Sequence, residues 1–238
     1  MFVPGHYRVT DDAWHRRIIG DHPLVTLVTN GETLPYATRL PAVVAPDQPA
    51  SGPLVGTEIY GHLNRANPHW AALRDGTRAR LMFDGPSAFV TPAVYNEDPA
   101  APTWDFAVVH LCGRIQPIPH AEETLAVVRW TAERLEHRFG DGWDQTSSVD
   151  YFRRILPGVG AFRLHVESVE ALFKLSQEKN ADVQESVIRR YEADESGTGW
   201  PLARLMRGFG IGHSGGVGVG AAAAGDGAGE RGAGGCPF

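Results

Sequence analysis

A succession of short extended runs, broken by turn signals and accompanied by one long amphipathic helix, restricts this chain to folds that close a mainly antiparallel sheet. Residues 24–29, 36–45, 54–61, 79–83, 88–91, 106–115 and 161–169 read as strands, and 173–176 extends or closes the sheet. Asn30-Gly31 and Asp84-Gly85-Pro86 punctuate the series. Within 106–115, Val109 and Leu111 alternate with His110 and Cys112, the period of a half-buried strand. Six or more strands left open would expose unpaired edges that recruit other chains, and closure removes those edges. The prediction is a mainly β (α+β) protein: an antiparallel barrel with flanking helices.

The helices follow from a different period. Leu125, Val128, Ala132, Leu135 and Phe139 recur at helical spacing across 120–139, with Glu122, Glu123, Glu133 and Arg134 on the wet face. Asp11-Asp12 caps a short helix carrying Trp14, Ile18 and Ile19. Asn67-Pro68 starts another over 68–74, and a third over 149–155 stops before Pro157-Gly158.

Composition excludes several classes of function. A chain of 238 residues that is 42% hydrophobic can bury one substantial core. The formal charge of −6 argues against a general phosphate-binding surface, so no nucleic-acid partner is expected. No run approaches the roughly 18 apolar residues of a membrane span, and the first residues lack the apolar stretch of a secretory signal. A cytoplasmic protein with no membrane partner is the expectation. Cys112 and Cys236 are too few for a disulfide framework or a cysteine-built zinc site. Thirteen of the 28 glycines fall after Arg207, so 208–238 reads as a flexible appendage to a body spanning 1–207. No phosphate loop is formed there, because no strand precedes the glycines and no Gly-Lys-Ser/Thr follows.

The stretch Ile59-Tyr-Gly-His-Leu-Asn-Arg-Ala-Asn-Pro-His-Trp70 carries the strongest chemical signal. An extended run delivers His62, and Arg65 follows three residues later. An imidazole so placed could ligate a metal or haem iron while the guanidinium holds an acidic cofactor group. The alternative is a hydrogen-bonded histidine beside the core. His69, at the helix start, is expected at the surface.

Phe2-Val-Pro4, Gly61-His62, Arg65-Ala-Asn-Pro68, Trp70, Gly85-Pro86, Pro102-Thr-Trp104, Val109-His110, Gly113 and Phe173-Lys-Leu-Ser-Gln177 together resemble the PaiB-like family of split-barrel proteins, described as FMN-binding and transcription-regulating. The resemblance spans roughly residues 1–177. It implies a split β-barrel and a homodimer with cofactor pockets near the subunit interface. Within the family, Pro102-Thr-Trp-Asp-Phe106, Gly142-Trp-Asp-Gln145 and the run from Asp150 to Phe162 are most similar to the haem-dependent piperazate synthases. Arg39 departs from the family, where histidine is frequent, and this removes a possible second imidazole.

That branch implies haem b as cofactor, with FMN as the alternative, and N5-hydroxy-L-ornithine as substrate. It implies an enzyme that joins the α-nitrogen to N5 with loss of water to give L-piperazic acid. His62 becomes the first candidate for the axial iron ligand, with His110 as competitor. Arg65 is a candidate for a haem propionate or for an ordinary acidic partner, and Trp104 for a porphyrin platform or for packing. Lys174, between Phe173 and Leu175, is the leading acid–base candidate, against a lysine facing outward from an edge strand. Tyr95 and Asp105 border the Pro-rich segment 92–102 and are the other catalytic candidates. A flavin- or haem-binding oxidoreductase or carrier and a PaiB-like regulator are the competing functions.

Overall fold

The computed structural model describes residues 1–95 and 98–212. Its sheet has six strands: β1 (Leu24–Thr29), β2 (Tyr36–Val44), β3 (Glu58–Asn64), β4 (Thr77–Val90), β5 (Thr103–Ile118) and β6 (Val159–Lys174). They close a barrel in the order β1-β2-β3-β6-β5-β4. β1 pairs antiparallel with β2, with Thr29 opposite Tyr36, and also with β4, with Leu27 opposite Leu81. β3 pairs antiparallel with β2 and with β6. Among the described residues six α-helices accompany the strands: α1 (Asp12–Asp21), α2 (Pro68–Ala72), α3 (Ala121–Phe139), α4 (Val149–Ile155), α5 (Ala181–Glu192) and α6 (Trp200–Gly208).

The barrel agrees with the sequence reading, while several of its strands are longer than local signals suggest. Asp84-Gly85-Pro86 does not end a strand; β4 runs through it. Proline's φ suits extended backbone, and what lapses around Gly85 and Pro86 is the in–out alternation of burial, as at a bulge. The run at 161–169 and the start of the run at 173–176 are likewise one strand, β6, which ends at Lys174 and whose alternation is interrupted near Ser168. The expected strand at 54–61 begins later, at Glu58, after a turn closed by the Thr57 hydroxyl donating to the Leu54 carbonyl at 2.6 Å. Asn30-Gly31 does open the β1–β2 connection. A Cβ at Gly31 would lie 2.2 Å from the Leu34 carbonyl oxygen, so only glycine fits.

Contacts divide the chain into two compact units. One comprises Arg16–Phe83 and His110–Val169. Its interior is made by Leu27, Leu40, Ile59, Leu81, Phe83, Leu111 and Phe162, all buried. α3 buries Thr124, Leu125, Val127 and Thr131, and Val127 packs with Ile118 and Ala161. Its inner face is thus rotated from the expected stripe, and Phe139 is 57% exposed. Glu122 and Glu123 in its first turn and His137 and Arg138 in its last complement the helix dipole.

The other unit comprises Met1–His15, Asp84–Val109 and, among the described residues, 170–212. Asn180 caps α5 by accepting from the Val183 amide at 3.0 Å. Arg207 of α6 is held between Glu185 and Glu192 of α5. The packed body does not stop at residue 207. Phe209 lies 5.1 Å from Trp14 and 5.7 Å from Phe173 between ring centroids, and Ile211 is buried. The remainder of the glycine-rich segment, 213–238, lies outside the described residues.

Candidate functional site

β3 carries Ile59, Gly61 and Leu63 into the core and turns Tyr60 and His62 to the opposite face. His62 stands opposite Ala161 of β6. Its half-buried imidazole lines a cleft of about 420 Å³ together with Thr38, Arg39, Asn64, Asn67 and Val159. That size lies within the range of small-molecule sites. Nδ1 of His62 is buried and has no hydrogen-bond partner among the described residues. Burial also pushes the imidazole below its ordinary value, so the ring is neutral near pH 7. A neutral imidazole with an unused, desolvated nitrogen is the state in which histidine binds metals. Buried polar atoms are rarely left unpaired, so this nitrogen calls for a partner from outside the chain.

The surroundings of His62 are fixed by contacts distant in sequence. The Arg65 amide donates to the Gly158 carbonyl at 2.9 Å, and Arg65 Nε donates to the Val159 carbonyl at 2.7 Å. The guanidinium lies 5.6 Å from the centre of the Trp70 ring. Trp70 in turn covers Gly160, where a Cβ would sit 2.4 Å from the indole. Arg65 is exposed and its guanidinium makes no ion pair among the described residues, which leaves N–H groups for an anionic ligand.

His69 is not at the surface; it is 1% exposed. Its Nε2 and Nδ1 each lie 2.9 Å from a hydroxyl, those of Thr29 and Thr38, and its ring stacks on Tyr36. Asn67 accepts from the His69 amide and its side-chain NH2 donates to the Thr38 hydroxyl at 3.3 Å. Two rim groups of the cleft, Thr38 and Asn67, are therefore held by a buried histidine. Desolvation lowers the readiness of His69 to charge.

The second unit brings together the three residues singled out for acid–base work. Asp105 shares the inward parity of Ala107 and Val109 on β5 and is fully buried. Its Oδ2 accepts from the Ser176 hydroxyl at 2.6 Å. Its Oδ1 accepts no hydrogen bond among the described residues and lies 3.8 Å from Lys174 Nζ. Lys174 also donates to the Thr103 hydroxyl and to the Trp104 carbonyl, the latter at 3.2 Å. Burial pushes the Asp105 carboxyl up to about 6, against the opposing pulls of Ser176 and Lys174. Ser176 has φ 58°, a left-handed conformation that costs a serine about 1 kcal/mol and that its bond to Asp105 helps to hold.

Tyrosines complete the cluster. Tyr95 is buried, with Lys179 Nζ 4.4 Å from its ring centre. Burial and the charge of Glu178 push Tyr7 up to about 12. Burial, reinforced by the charge of Asp105, raises Tyr191 as well. Ser176, Tyr7 and Tyr191 were not anticipated as members. Ser176 could have been suspected, since Phe173-Lys-Leu-Ser-Gln177 already carried the family resemblance, whereas nothing local marks Tyr191.

The other cofactor candidates are placed differently. Of His62, Arg65, His110 and Trp104, only His62 lines the cleft. His110 is buried on the same strand parity as Cys112. Trp104 is 52% exposed, with Phe89 6.1 Å away. Among the described residues no three His, Cys, Asp or Glu side chains gather to hold a metal ion, and no helix is long and apolar enough to cross a membrane.

The family described as "Putative FMN-binding domain" matches residues 1–168, most of the barrel. The chain belongs to this family. The FMN-binding-type assignment accords with the six-stranded barrel and flanking helices. A Bacillus subtilis relative, "Protease synthase and sporulation protein PAI 2", is 27% identical over 209 residues, spanning 87% of this chain and 96% of that protein. An uncharacterized protein of Emericella nidulans is 24% identical over 227 residues, spanning 81% of this chain and 90% of that one. The solved FAD- and haem-binding protein from Mycobacterium smegmatis superposes with a TM-score of 0.52 at 15% identity, covering 76% of this chain and 79% of that chain. At that identity the likeness is one of fold. A PaiB-like FMN-binding-type barrel is thus established, and the cofactor and reaction rest on the site itself.

Proposed function

We propose that this member of the family is a haem-dependent cyclase that converts N5-hydroxy-L-ornithine to L-piperazic acid, working as a homodimer. The observation that carries the cofactor assignment is the neutral, half-buried His62, which lines a cleft and whose buried Nδ1 has no partner among the described residues. A lone imidazole is too small a donor set for a protein-built metal centre, which takes three or four protein ligands. It would suit a group such as haem that brings most of its iron's ligands with it and needs one donor from the protein, which His62 would supply. Arg65 and the cleft residue Arg39 offer guanidinium groups that match carboxylates. The M. smegmatis protein of similar fold, which binds haem as well as FAD, adds support.

Bound haem would supply a Lewis-acidic iron able to polarise an N–O bond. The rest falls to the chain. The N–N bond forms between the α-nitrogen and N5, the N5–O bond breaks, and the oxygen leaves as water. No net electrons are transferred, so no nicotinamide is required. The α-ammonium must lose a proton before its nitrogen can attack, and the departing oxygen must gain one. The reading gives the first task to the Lys174–Asp105 pair, whose carboxyl is tuned close to neutral pH, and the second to Tyr95. Holding both ends of the substrate for closure of a six-membered ring supplies a large proximity contribution.

A second reading, a flavin-binding oxidoreductase or carrier, is favoured by the family description, and the polar rim of Asn64, Asn67 and Arg39 also suits a phosphate. One absorbance spectrum of protein purified with both haem and FMN available separates the two. A Soret band with conversion of N5-hydroxy-L-ornithine supports the cyclase; a flavin spectrum without a Soret band replaces haem by FMN. Haem binding with no piperazic acid formed leaves a haem carrier. Light scattering of the same sample tests the homodimer.

A further inference from the structure

The first unit holds a second cavity, of about 520 Å³, between α1, the end of β2 and α3. Ile19, Val43, Ala45 and Leu135 give it apolar walls. Trp130 forms a fixed platform, because its indole N–H donates to the Val44 carbonyl at 2.8 Å. One turn later on α3, the Arg134 guanidinium lies over that ring at 5.7 Å from its centre. Three arginines line this cavity and no carboxylate does, in a chain of net charge −6. Arg138 is neutralised by Asp21, and Arg16 donates to the Gly52 and Pro53 carbonyls. Among the described residues, Arg134 alone of the three has only its ring contact, with no carboxylate or carbonyl partner. Basic residues near a helix C-terminus also serve the helix dipole, but that role needs no cavity and no anchored indole beneath the guanidinium.

We propose that this cavity is a binding site for a small amphipathic carboxylate, an apolar and preferably flat body ending in one carboxyl group. The face of the Arg134 guanidinium is occupied by Trp130, and its N–H edge remains to fork onto the two oxygens of a carboxylate. One uncommitted guanidinium matches one negative charge. The apolar walls then receive the body, and Arg16 adds positive potential without giving up its carbonyl bonds. The site stands apart from the cofactor assignment, since it shares no lining residue with the His62 cleft.

The test is calorimetric titration of the full-length protein with naphthalene-2-carboxylate, the neutral 2-naphthylmethanol and 2-naphthyl phosphate. The carboxylate should bind about tenfold or more tightly than the alcohol, a difference that Arg134→Met abolishes while the methionine still covers Trp130. Gly20 lines the cavity and a Cβ there meets nothing within 4 Å, so Gly20→Leu should fill the space, keep the helix and remove binding of all three probes. His62→Ala should bind the carboxylate as the unaltered chain does. Equal affinity for carboxylate and alcohol, unchanged binding in Gly20→Leu, or no saturable binding would each overturn the proposal. Tighter binding of the phosphate would overturn the carboxylate assignment and make the site one for phosphate esters.

Discussion

The His62 cleft and the Asp105 cluster use buried polar groups in opposite ways. In the cluster, charged and hydroxyl groups lean on others of the same chain: Ser176 on Asp105 Oδ2, Lys174 on Asp105 and Thr103, Lys179 on the Tyr95 ring. Asp105 Oδ1, which accepts no hydrogen bond among the described residues, still faces the Lys174 ammonium at 3.8 Å. In the cleft, the central imidazole keeps a nitrogen with no partner among the described residues, while its supporting groups Thr38 and Asn67 are firmly held. A group satisfied from within can tune a proton or hold the fold. A group left unsatisfied at a cleft is organised for something that arrives from outside. The two regions therefore predict different responses to mutation: the cluster should answer in proton chemistry and stability, the cleft in ligand affinity.

The largest expected effect separates enzyme from carrier. Lys174→Met should keep haem and lower the turnover of N5-hydroxy-L-ornithine by roughly 10²–10⁴-fold, the usual size of an acid–base contribution. Haem titration and single-turnover assays across pH read both quantities. If haem affinity falls and turnover at saturating haem is normal, Lys174 serves the cofactor. If neither changes, it has no part in either, and Tyr95 becomes the residue to test.

Next is the pH dependence of stability set by Asp105. In the unfolded chain the carboxyl returns to its ordinary value of 3.8, against about 6 when folded. The folded state thus holds a proton that the unfolded chain has released between those values. The stabilising contribution is fully present below about 3.8 and is lost as pH rises through about 6. The gap corresponds to about 3 kcal/mol. Urea unfolding from pH 4 to 8 should show that loss in the natural chain and a flatter profile in Asp105→Asn. Parallel profiles would mean that Ser176 and Lys174 compensate burial more fully than the direction of the shift implies.

How much of this was legible in the sequence depends on the range of each contact. The closed barrel, α3 and α4 follow from local periodicity, and so does the delivery of His62 by a strand. Lys174, Tyr95 and Asp105 do come together, but the reason offered for Lys174, flanking apolar residues, is not what holds it. It is held by acceptors on β5, about seventy residues away in sequence. His69 was misplaced for the same reason: its partners Thr29 and Thr38 are 40 and 31 residues distant, and a five-residue helix is too short to reveal an inner face. The merging of strands at Gly85-Pro86 shows that a turn signal can become a bulge once neighbouring strands supply the pairing. Phe209 and Ile211 sit among glycines and read with them, although Phe209 packs on Trp14 and Phe173 and Ile211 is buried.

A smaller effect tests whether the rim of the cleft depends on His69. His69→Leu removes the partner of the buried Thr29 hydroxyl and should cost about 2 kcal/mol. It should also weaken haem binding, because Thr38, to which the Asn67 side chain donates, loses its anchor. Denaturation and haem titration on one sample distinguish the outcomes. Lost stability with unchanged affinity would make His69 a packing residue only.

The smallest effect on stability should come from the most important residue of the cleft. His62→Ala removes an imidazole that bonds to nothing within the described residues, so unfolding of the cofactor-free protein should shift by no more than about 1 kcal/mol. Removing a buried, unpaired nitrogen offsets part of the lost packing. The contrast should appear when haem is added. Ligand binding stabilises the folded state by about 2.7 kcal/mol at a hundred times the dissociation constant, and the natural chain should gain that increment while His62→Ala gains little. Measured side by side with Asp105→Asn, the two variants would exchange signatures: one changes the protein without ligand, the other changes only its response to ligand. If His62→Ala keeps the haem-induced gain and the Soret position, the axial role passes from His62 to another residue, His110 first. If it destabilises the cofactor-free protein by several kcal/mol, the cleft is a structural element and its distinction from the Asp105 cluster disappears.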